Sequence, residues 1–435
     1  MANPVLARAG LGWLEELRAR GSELARRLSW PTTQEEEWRR TSLAGLKLEA
    51  LEADAAGLLE AGAAGLLGAP VGGNGKGGTP HEPEGRPQPP EGRLAEGQAG
   101  LVSFHGSACT GLALAEEWRR KGVLLAALDG EVPEAVAALM DSGLQRADNR
   151  IAAWHLGSLS HGALLYVPEG VELAGTVTVD LEEQAAGASF PHLAVVLGRG
   201  ARAVVAQRLA GGGGLVNAGL DAQLGDGAAL ELYQLQDLGL GSLFFSHAYA
   251  ALGRDASLRS LEAHLGSRLV KTRMDCSLEG PGAESYLNGA YLAGAGQHMD
   301  LRTVQRHRSP KATSRALYKG AVKDSGRTVY QGLIEVSPGA SGTDAYLSNK
   351  NLILNDGARA DSIPSLRIDN NDVRCSHGST TGRISPEELF YLASRGLSPA
   401  EARAMVVLGY FEELLARAPF AEAALAGVAG RLAAG

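Results

Sequence analysis

Hydrophobic and polar positions give the central part of the chain the pattern of a β protein. Between about residues 160 and 375, short apolar or alternating runs such as TVTVDL (176–181), HLAVVLG (192–198) and TVYQGLIEV (328–336) are separated by glycine-containing turns. Alternation with a period of two is typical of strands, and helical periodicity is weak throughout this region. The region is therefore predicted to contain many short β-strands.

A turn signal recurs in this region at a nearly constant spacing. Segments such as GRGA, GDGA and SPGA each end in an alanine, and successive alanines are 27, 28, 27, 29 and 28 residues apart. A fixed period with a turn at the same phase is typical of a stacked repeat, so a β-solenoid is favoured. A β-sandwich is the alternative, but it gives no reason for the period. The alanines are Ala201, Ala228, Ala256, Ala283, Ala312 and Ala340, and a turn ending at Ala358 breaks the spacing.

Helical patterns flank the β region at both ends. In residues 5–68, leucines recur near one helical face, and a Gly- and Pro-rich loop at 69–95 follows. Near the other end, Ser385 and Ser398 each begin a Ser-Pro-x-Glu sequence, which is typical of a capping box with proline at the first helical position. Gly396 is placed to end the first of these two helices, so a helical hairpin is predicted.

The predicted fold class is mainly β, with a β-helix core between two helical regions. Residues 101–157 mix strand and helix signals, and their topology is left open. The three parts are an N-terminal helical domain at 1–100 with its loop at 69–95, a β-helix core at 101–380 and a C-terminal helical domain at 381–435.

Composition and charge narrow the class of protein. The chain of 435 residues contains 58 glycines and 5% aromatic residues, which suits tight corners and argues against a sugar-binding groove lined with rings. A formal net charge of -8 argues against a general nucleic-acid binder, because backbone binding needs a basic surface. Three widely spaced cysteines, with no signal peptide and no apolar run approaching a membrane span, predict a cytoplasmic protein that does not enter the membrane.

The main candidate for chemistry is the segment DVRCSHGSTTGRISPEELFYLASRG, residues 372–396. Cys375 and His377 stand two residues apart, so both side chains project from the same face if the segment is a strand. A thiolate and an imidazole suit a soft metal or an activated thiol. Two ligands do not complete a zinc or iron–sulfur site, however, and no CxxC sequence occurs in the chain. On the residues alone, a small core cysteine beside a turn-bonding histidine is therefore favoured, and no complete enzyme is indicated.

A resemblance to a known family changes this interpretation. The segment CSHGSTTGRISPEELFYLASRGLSPAEARAMVVLGYFEELL resembles the C-terminal signature of the SufB/SufD family of iron–sulfur cluster assembly, and WPTTQEEEWRRTSL resembles an N-terminal stretch of the same family. The family has a right-handed parallel β-helix, in agreement with the repeat region. Gly378 stands where SufB has a glutamate, and residues 346–354 lack the cysteine that SufB carries there. The resemblance therefore favours the SufD branch.

The resemblance implies a role that the residues alone do not show. His377 would lie at a SufB–SufD interface and be required for cluster assembly, with Cys375 close by. The other ligands of a transient iron–sulfur cluster would come from a SufB-like paralogue, and the isolated chain would hold no tightly bound cofactor. The chain would be a scaffold and not an enzyme, because ATP hydrolysis belongs to a SufC-like ABC-type ATPase. The implied docking surface for that ATPase is Glu388, Phe390, Tyr391, Arg395, Met405, Gly409, Tyr410 and Phe411.

Three alternatives remain at this point. The first is a SufB-like scaffold that acts as a homodimer. The second is a β-helical carbohydrate-active protein, which predicts a secretion signal and an acidic or aromatic groove, and neither is evident. The third is a plain interaction solenoid in which Cys375 and His377 are inert.

Overall fold

The computed structural model describes residues 12–52, 92–128, 132–183 and 187–433. Most of the predicted loop at 69–95 lies outside the described residues, as does part of the predicted N-terminal helical region. The described strands form two long sheets that face each other across an apolar interior. Successive strands in the repeat alternate between the two sheets, so each coil contributes one strand to each. The prediction of a β-solenoid flanked by helices is therefore confirmed.

The first sheet joins ten strands in the order β2-β1-β5-β8-β10-β12-β14-β16-β18-β20. Neighbouring strands are parallel except for the antiparallel pair β1 and β2. The repeat keeps its register, so that Arg202, Ala229 and Ser257 lie beside one another in successive coils. The strands are β1 (Gln98–His105), β2 (Ala108–Leu114), β5 (Glu172–Glu183), β8 (Arg202–Gly211), β10 (Ala229–Leu238), β12 (Ser257–His264), β14 (Glu284–Ala293), β16 (Thr313–Val322), β18 (Thr343–Ile353) and β20 (Val373–Arg383).

The second sheet runs β19-β17-β15-β13-β11-β9-β7-β4-β3, with the short β6 beside β9. It is parallel except where β3 pairs antiparallel with β4. The strands are β3 (Leu124–Ala127), β4 (His161–Val167), β6 (Ala188–Ser189), β7 (Pro191–Leu197), β9 (Leu215–Leu224), β11 (Leu243–Leu252), β13 (Leu269–Leu278), β15 (His298–His307), β17 (Arg327–Val336) and β19 (Arg359–Ile368).

The predicted turn spacing corresponds to one coil of the solenoid. Each of the six periodic alanines is buried in the interior just before a strand of the first sheet. In several of these turns the residue before the alanine has a positive φ, as at Gly200 (64°), Asp255 (53°) and Lys311 (58°). This is the left-handed region of backbone conformation, which glycine adopts most readily. The spacing breaks at Ala358 because that turn leads into β19 of the second sheet.

Helices cover the outer faces of both sheets. Leu17 of α1 and Met140 of α3 belong to a buried cluster with Leu164 of β4, on the second sheet. The helices α6 and α7 pack on the first sheet in another buried cluster. None of the described helices is long and apolar enough to cross a membrane. The helices are α1 (Trp13–Arg27), α2 (Glu116–Arg120), α3 (Glu134–Arg146), α4 (Arg150–Gly157), α5 (Pro386–Ser394), α6 (Pro399–Leu415) and α7 (Ala421–Ala433), with a short 3-10 helix at Glu36–Trp38.

The N-terminal stretch WPTTQEEEWRRTSL, residues 30–43, lies against the outer face of the second sheet. Trp38 is buried there with Phe245, and the Lys271 ammonium lies 5.1 Å from the centre of its ring. The carbonyl oxygen of Glu37 accepts hydrogen bonds from Lys271 Nζ and from Gln331 Nε2, both at 3.0 Å. This stretch therefore connects strands β11, β13 and β17 to the helical region.

Candidate functional site

The candidate pair lies on β20, the last strand of the first sheet. Cys375 is in register with Ala345 of β18, and His377 is in register with Leu347. Ala345 and Leu347 are buried in the interior of the solenoid. Because strands in register present the same face, Cys375 and His377 both lie on the inward side. Beyond β20 the described part of the chain adds no further strand to this sheet.

The two side chains differ in burial. Cys375 is half-buried and packs against the edge of the interior core, whereas His377 is exposed. Burial raises the pKa of the Cys375 thiol, so the thiol keeps its proton at neutral pH. A metal ion binds cysteine as the thiolate, so binding here would release that proton. Within the described ranges, no group of three or more His, Cys, Asp or Glu residues is arranged to hold a metal, so this pair supplies two ligands at most.

Apolar side chains are exposed around the pair. Strands β19 and β20, which we call the open end, complete the second and the first sheet respectively. Leu366 and Ile368 of β19 are 38% and 37% exposed, and Tyr346 of β18 is 40% exposed. An unpaired strand edge beside exposed apolar residues is typical of a protein–protein interface.

Sequence reasoning did not indicate these apolar residues. Their exposure depends on where the stack ends, and the break in turn spacing at Ala358 is the signal that marks this position. Gly378 adds a steric feature to the same end, because a Cβ at that position would lie 2.9 Å from the Tyr346 hydroxyl. A side chain at position 378 would therefore have to displace Tyr346.

The helices α5 and α6 that follow β20 form the predicted hairpin. At α6 the Ser398 side chain accepts from Glu401 N, and the Glu401 carboxylate accepts from Ser398 N, so the capping box is complete. At α5 the Ser385 side chain caps Glu387 N and Glu388 N, but its hydroxyl donates to the Glu387 carboxylate. The predicted box at Ser385 is therefore incomplete.

Most of the residues implied for ATPase docking lie on the surface of the hairpin. Phe390 is the most exposed of the three large apolar members, at 76%, and the Arg395 guanidinium lies 5.2 Å from the ring centre of Tyr391. The exposed members are Glu388, Phe390, Tyr391, Arg395, Met405 and Gly409.

Two members of the implied docking set face the chain's own β-helix instead. Phe411 is buried, at 1% exposure, in the cluster that joins α6 to the first sheet. The Tyr410 hydroxyl donates to the carbonyl oxygen of Lys350 at 2.7 Å, and the backbone carbonyl of Tyr410 accepts from Lys319 Nζ at 3.0 Å. Tyr410 and Phe411 therefore attach the hairpin to the solenoid, and their part in docking an ATPase stays a prediction.

The fold and the site define a class of protein: a parallel β-solenoid that presents a thiol and an imidazole on an open terminal strand. The family model of the SUF system FeS cluster assembly SufBD core domain matches residues 179–410. The chain belongs to the SufB/SufD family of iron–sulfur cluster assembly proteins. This confirms the resemblance seen in the sequence.

Individual relatives from both branches of the family are similar to the chain. An iron–sulfur cluster assembly SufBD family protein of Mycobacterium tuberculosis is 34% identical over 278 residues, which cover 62% of this chain and 70% of the relative. The iron–sulfur cluster assembly protein SufD of Escherichia coli is 35% identical over 170 residues, covering 39% of this chain and 40% of that protein. The protein SufB of Bacillus subtilis is 31% identical over 165 residues, covering 38% and 36%.

Proposed function

We propose that the chain is a SufD-type scaffold, which pairs with a SufB-like paralogue through its open end and holds a nascent iron–sulfur cluster at that interface. The observation that supports this most directly is the position of Cys375 and His377 on β20, the terminal strand of the first sheet. Leu366 and Ile368 of the neighbouring β19 give the same end an apolar surface. A partner strand would pair the free edge and cover these side chains.

The chemistry proposed for this end is shared ligation of the cluster as a cargo. His377 offers an exposed imidazole, and Cys375 offers a thiolate once its proton is released. Iron–sulfur clusters are normally held by four ligands, so the partner would supply the remaining ones. The chain itself would carry out no catalytic step, and its cofactor would be the transient cluster.

Two sequence features favour the SufD-type role over the SufB-like homodimer. Gly378 replaces the glutamate of SufB, and residues 346–354 contain no cysteine. A separate feature is the exposed surface of the α5–α6 hairpin, which includes Phe390 at 76% exposure and would dock a SufC-like ABC-type ATPase. The nucleotide cycle of the ATPase would then move the hairpin and rearrange the interface.

The direct test is anaerobic co-purification of the tagged chain from its own source. We expect an ABC-type ATPase and a SufB-like paralogue to be recovered together with iron and a cluster absorbance band. His377→Ala should remove the iron and the band, and Cys375→Ser should weaken both. Cys109→Ser is the matched control, because Cys109 lies on β2 at the opposite end of the first sheet and should leave the iron unchanged.

The other functions predict different results. A homodimeric SufB-like scaffold would assemble a cluster on the isolated chain without the paralogue. A plain interaction solenoid would keep its partners and its iron when Cys375 and His377 are both replaced. Binding of a polysaccharide by the isolated chain, with no partner protein recovered, would support the carbohydrate-active alternative and contradict the proposal.

A further inference from the structure

The inward face of the first sheet has a polar half that continues to the open end. Tyr318, Asn349 and Ser379 lie beside one another on β16, β18 and β20. Two residues further along the last two strands, Asn351 and Thr381 are also in register. Tyr318 belongs to the buried interior cluster, so the positions in register with it face into the solenoid. We call Ser379 and Thr381, together with Asn349 and Asn351 on the preceding strand, the polar half.

One strand before the end, the polar side chains bond to one another. Asn349 is 0% exposed and Asn351 is 4% exposed. The Tyr291 hydroxyl donates to Asn351 Oδ1 at 2.7 Å and accepts from Asn349 Nδ2 at 2.9 Å, and Asn351 Nδ2 donates to Asn349 Oδ1 at 2.8 Å. Gly320 leaves space for this set, since a Cβ there would lie 2.1 Å from the Tyr291 ring. Buried polar groups are therefore hydrogen-bonded in this half of the interior.

Apolar side chains fill the other half of the interior. Ile334 and Val336 of β17 are buried in the interior core, and Leu366 and Ile368 occupy the same positions on β19. A short turn at 369–372 joins the end of β19 to the beginning of β20. Leu366 and Ile368, which we call the apolar half, therefore lie toward the beginning of β20, whereas the polar half lies toward its end.

Both halves are exposed in the last coil. Leu366 and Ile368 are 38% and 37% exposed, and Ser379 and Thr381 are also exposed. In the isolated chain, water can bond to the two hydroxyls. A partner that covers the open end removes this water, and a buried hydroxyl without a hydrogen-bond partner is destabilising. The polar half therefore requires donors and acceptors from the molecule that covers it, whereas the apolar half requires apolar side chains.

We propose that Ser379 and Thr381 form hydrogen bonds with polar side chains of the SufB-like paralogue, while Leu366 and Ile368 pack against its apolar side chains. This rests on the proposed function, because it takes the open end as the pairing surface. The occupant is the terminal coil of that paralogue, with Ser, Thr, Asn or Gln opposite the polar half. Side chains of this kind already fill the same positions on β18, so the partner would continue an existing column of polar residues.

A surface divided in this way also selects the register of the partner. A partner shifted along the strand would place apolar side chains over the two hydroxyls and polar side chains over Leu366. Each mismatch leaves a buried polar group without a hydrogen-bond partner. The polar half therefore contributes mainly to specificity, and the apolar half contributes apolar area that is removed from water.

The test measures the Kd between the full chain and the purified SufB-like paralogue by analytical ultracentrifugation. Thr381→Val keeps the shape of the side chain and removes the hydroxyl, whereas Thr381→Ser keeps the hydroxyl. We expect Thr381→Val and Ser379→Ala each to raise the Kd about fivefold or more, because a polar group of the partner loses its bond in a buried interface. Thr381→Ser should stay close to the parent value.

Thr380→Val is the matched control for loss of a threonine hydroxyl on β20. Thr380 is exposed and lies in register with the exposed Lys350, on the outward face, so its substitution should change the Kd by less than about twofold. Ser379 and Thr381 are also exposed in the isolated chain, so all of these variants should unfold at the temperature of the parent protein.

Three results would contradict hydrogen bonding through the polar half. An unchanged Kd in Thr381→Val and Ser379→Ala, with pairing still disrupted by Leu366→Asp, would mean that the partner occupies the open end without using the polar half. Equal losses in Thr381→Val and Thr381→Ser would assign the effect to packing and not to the hydroxyl. Failure of the parent chain to bind the paralogue would overturn the proposed function itself, together with the role of the polar half.

Discussion

Gly219 lies at a position where any side chain would clash with two buried histidine rings. It lies on β9 between His192 of β7 and His247 of β11, and the rings of His155 and His192 fill the space that a Cβ would occupy. We expect Gly219→Ala to lower the free energy of unfolding by about 1–3 kcal/mol, the usual cost of overpacking a filled site.

Chemical denaturation measures the free energy of unfolding of Gly219→Ala, and Gly430→Ala serves as the matched control. Gly430 is exposed on α7, and a Cβ there would meet no atom within 4 Å. Gly430→Ala should stabilise the protein by about 0.5–1 kcal/mol, because alanine is the better helix former. If both variants shift the free energy of unfolding in the same direction, steric filling at Gly219 is not the cause.

His307 makes the folding stability of the protein depend on pH. Burial, followed by the nearby Arg315, lowers the pKa of His307 to about 4, against about 6.5 for an unfolded histidine. Between these values the unfolded chain binds more protons than the folded one, so stability is full above pH 6.5 and falls as the pH drops toward 4. The loss from this ring is on the order of 3 kcal/mol.

Urea unfolding at a series of pH values measures this contribution. His307→Gln removes the titrating ring but can still contact Ser314, whose hydroxyl lies 2.8 Å from His307 Nε2. We expect a smaller decrease in the free energy of unfolding from pH 7 to pH 4 than in the parent protein. His105→Gln, at an exposed position, should reproduce the parent profile. An unchanged profile in His307→Gln would mean that His307 is already charged in the folded protein.

Among the structural elements, the α5–α6 hairpin has two surfaces with different roles. One face carries Phe411, which is buried against the first sheet, and the hairpin surface carries Phe390 on α5, which is exposed. Phe411→Ala should cost about 3–5 kcal/mol by leaving a cavity between helix and sheet. Phe390→Ala should leave stability within about 0.5 kcal/mol and weaken binding of the ATPase partner.

Thermal unfolding and partner binding, measured on both variants, separate the two roles. Phe390→Ala serves as the matched control for the loss of a ring at Phe411. A large loss of stability in Phe390→Ala, or ATPase binding that is unchanged by it, would contradict this assignment of the hairpin surface.

The strands and the repeat could be predicted because their signals are local. Each coil has an alternating pattern and a turn that ends in a buried alanine, so the period is visible without knowledge of the pairing. Ser398 and Glu401 likewise form their capping box within four residues. The topology of residues 101–157 is not visible in the sequence, because they contribute to antiparallel pairs and form helices α2 to α4 at the beginning of the stack, outside the repeat.

The candidate sites were predictable to different degrees. Cys375 and His377 lie two residues apart, so the strand period alone predicts that they share a face. Only the strand register shows that this face lies at one end of the solenoid. The cavity lined by Arg146, His155, His192 and Asp221 combines residues from α3, α4, β7 and β9, so no short motif indicates it. The roles of Tyr410 and Phe411 depend on which side of α6 meets the sheet, and this was not fixed by their apolar character.

At the scale of the whole molecule, the two ends of the solenoid are finished differently. At the beginning, the antiparallel pairs β1–β2 and β3–β4 close the two sheets. At the other end, β19 and β20 complete the sheets without such a cap in the part of the chain that the structure describes. Stacked repeats normally need a polar cap at each terminus, so an end with exposed Leu366 and Ile368 is expected to be covered by another molecule.

A charge placed at the open end tests whether it is the pairing surface for the paralogue. Leu366→Asp should raise the Kd for a SufB-like partner at least tenfold, because a buried unpaired carboxylate costs several kcal/mol, while the isolated chain keeps its stability. Leu240→Asp is the matched control, since Leu240 is 59% exposed in the turn between β10 and β11, outside the open end. Analytical ultracentrifugation of the mixed proteins measures both affinities. Because cluster assembly is proposed to need the same interface, Leu366→Asp should also lose iron with Cys375 and His377 intact. If the variant pairs normally, the partner binds elsewhere and the open end needs a different occupant.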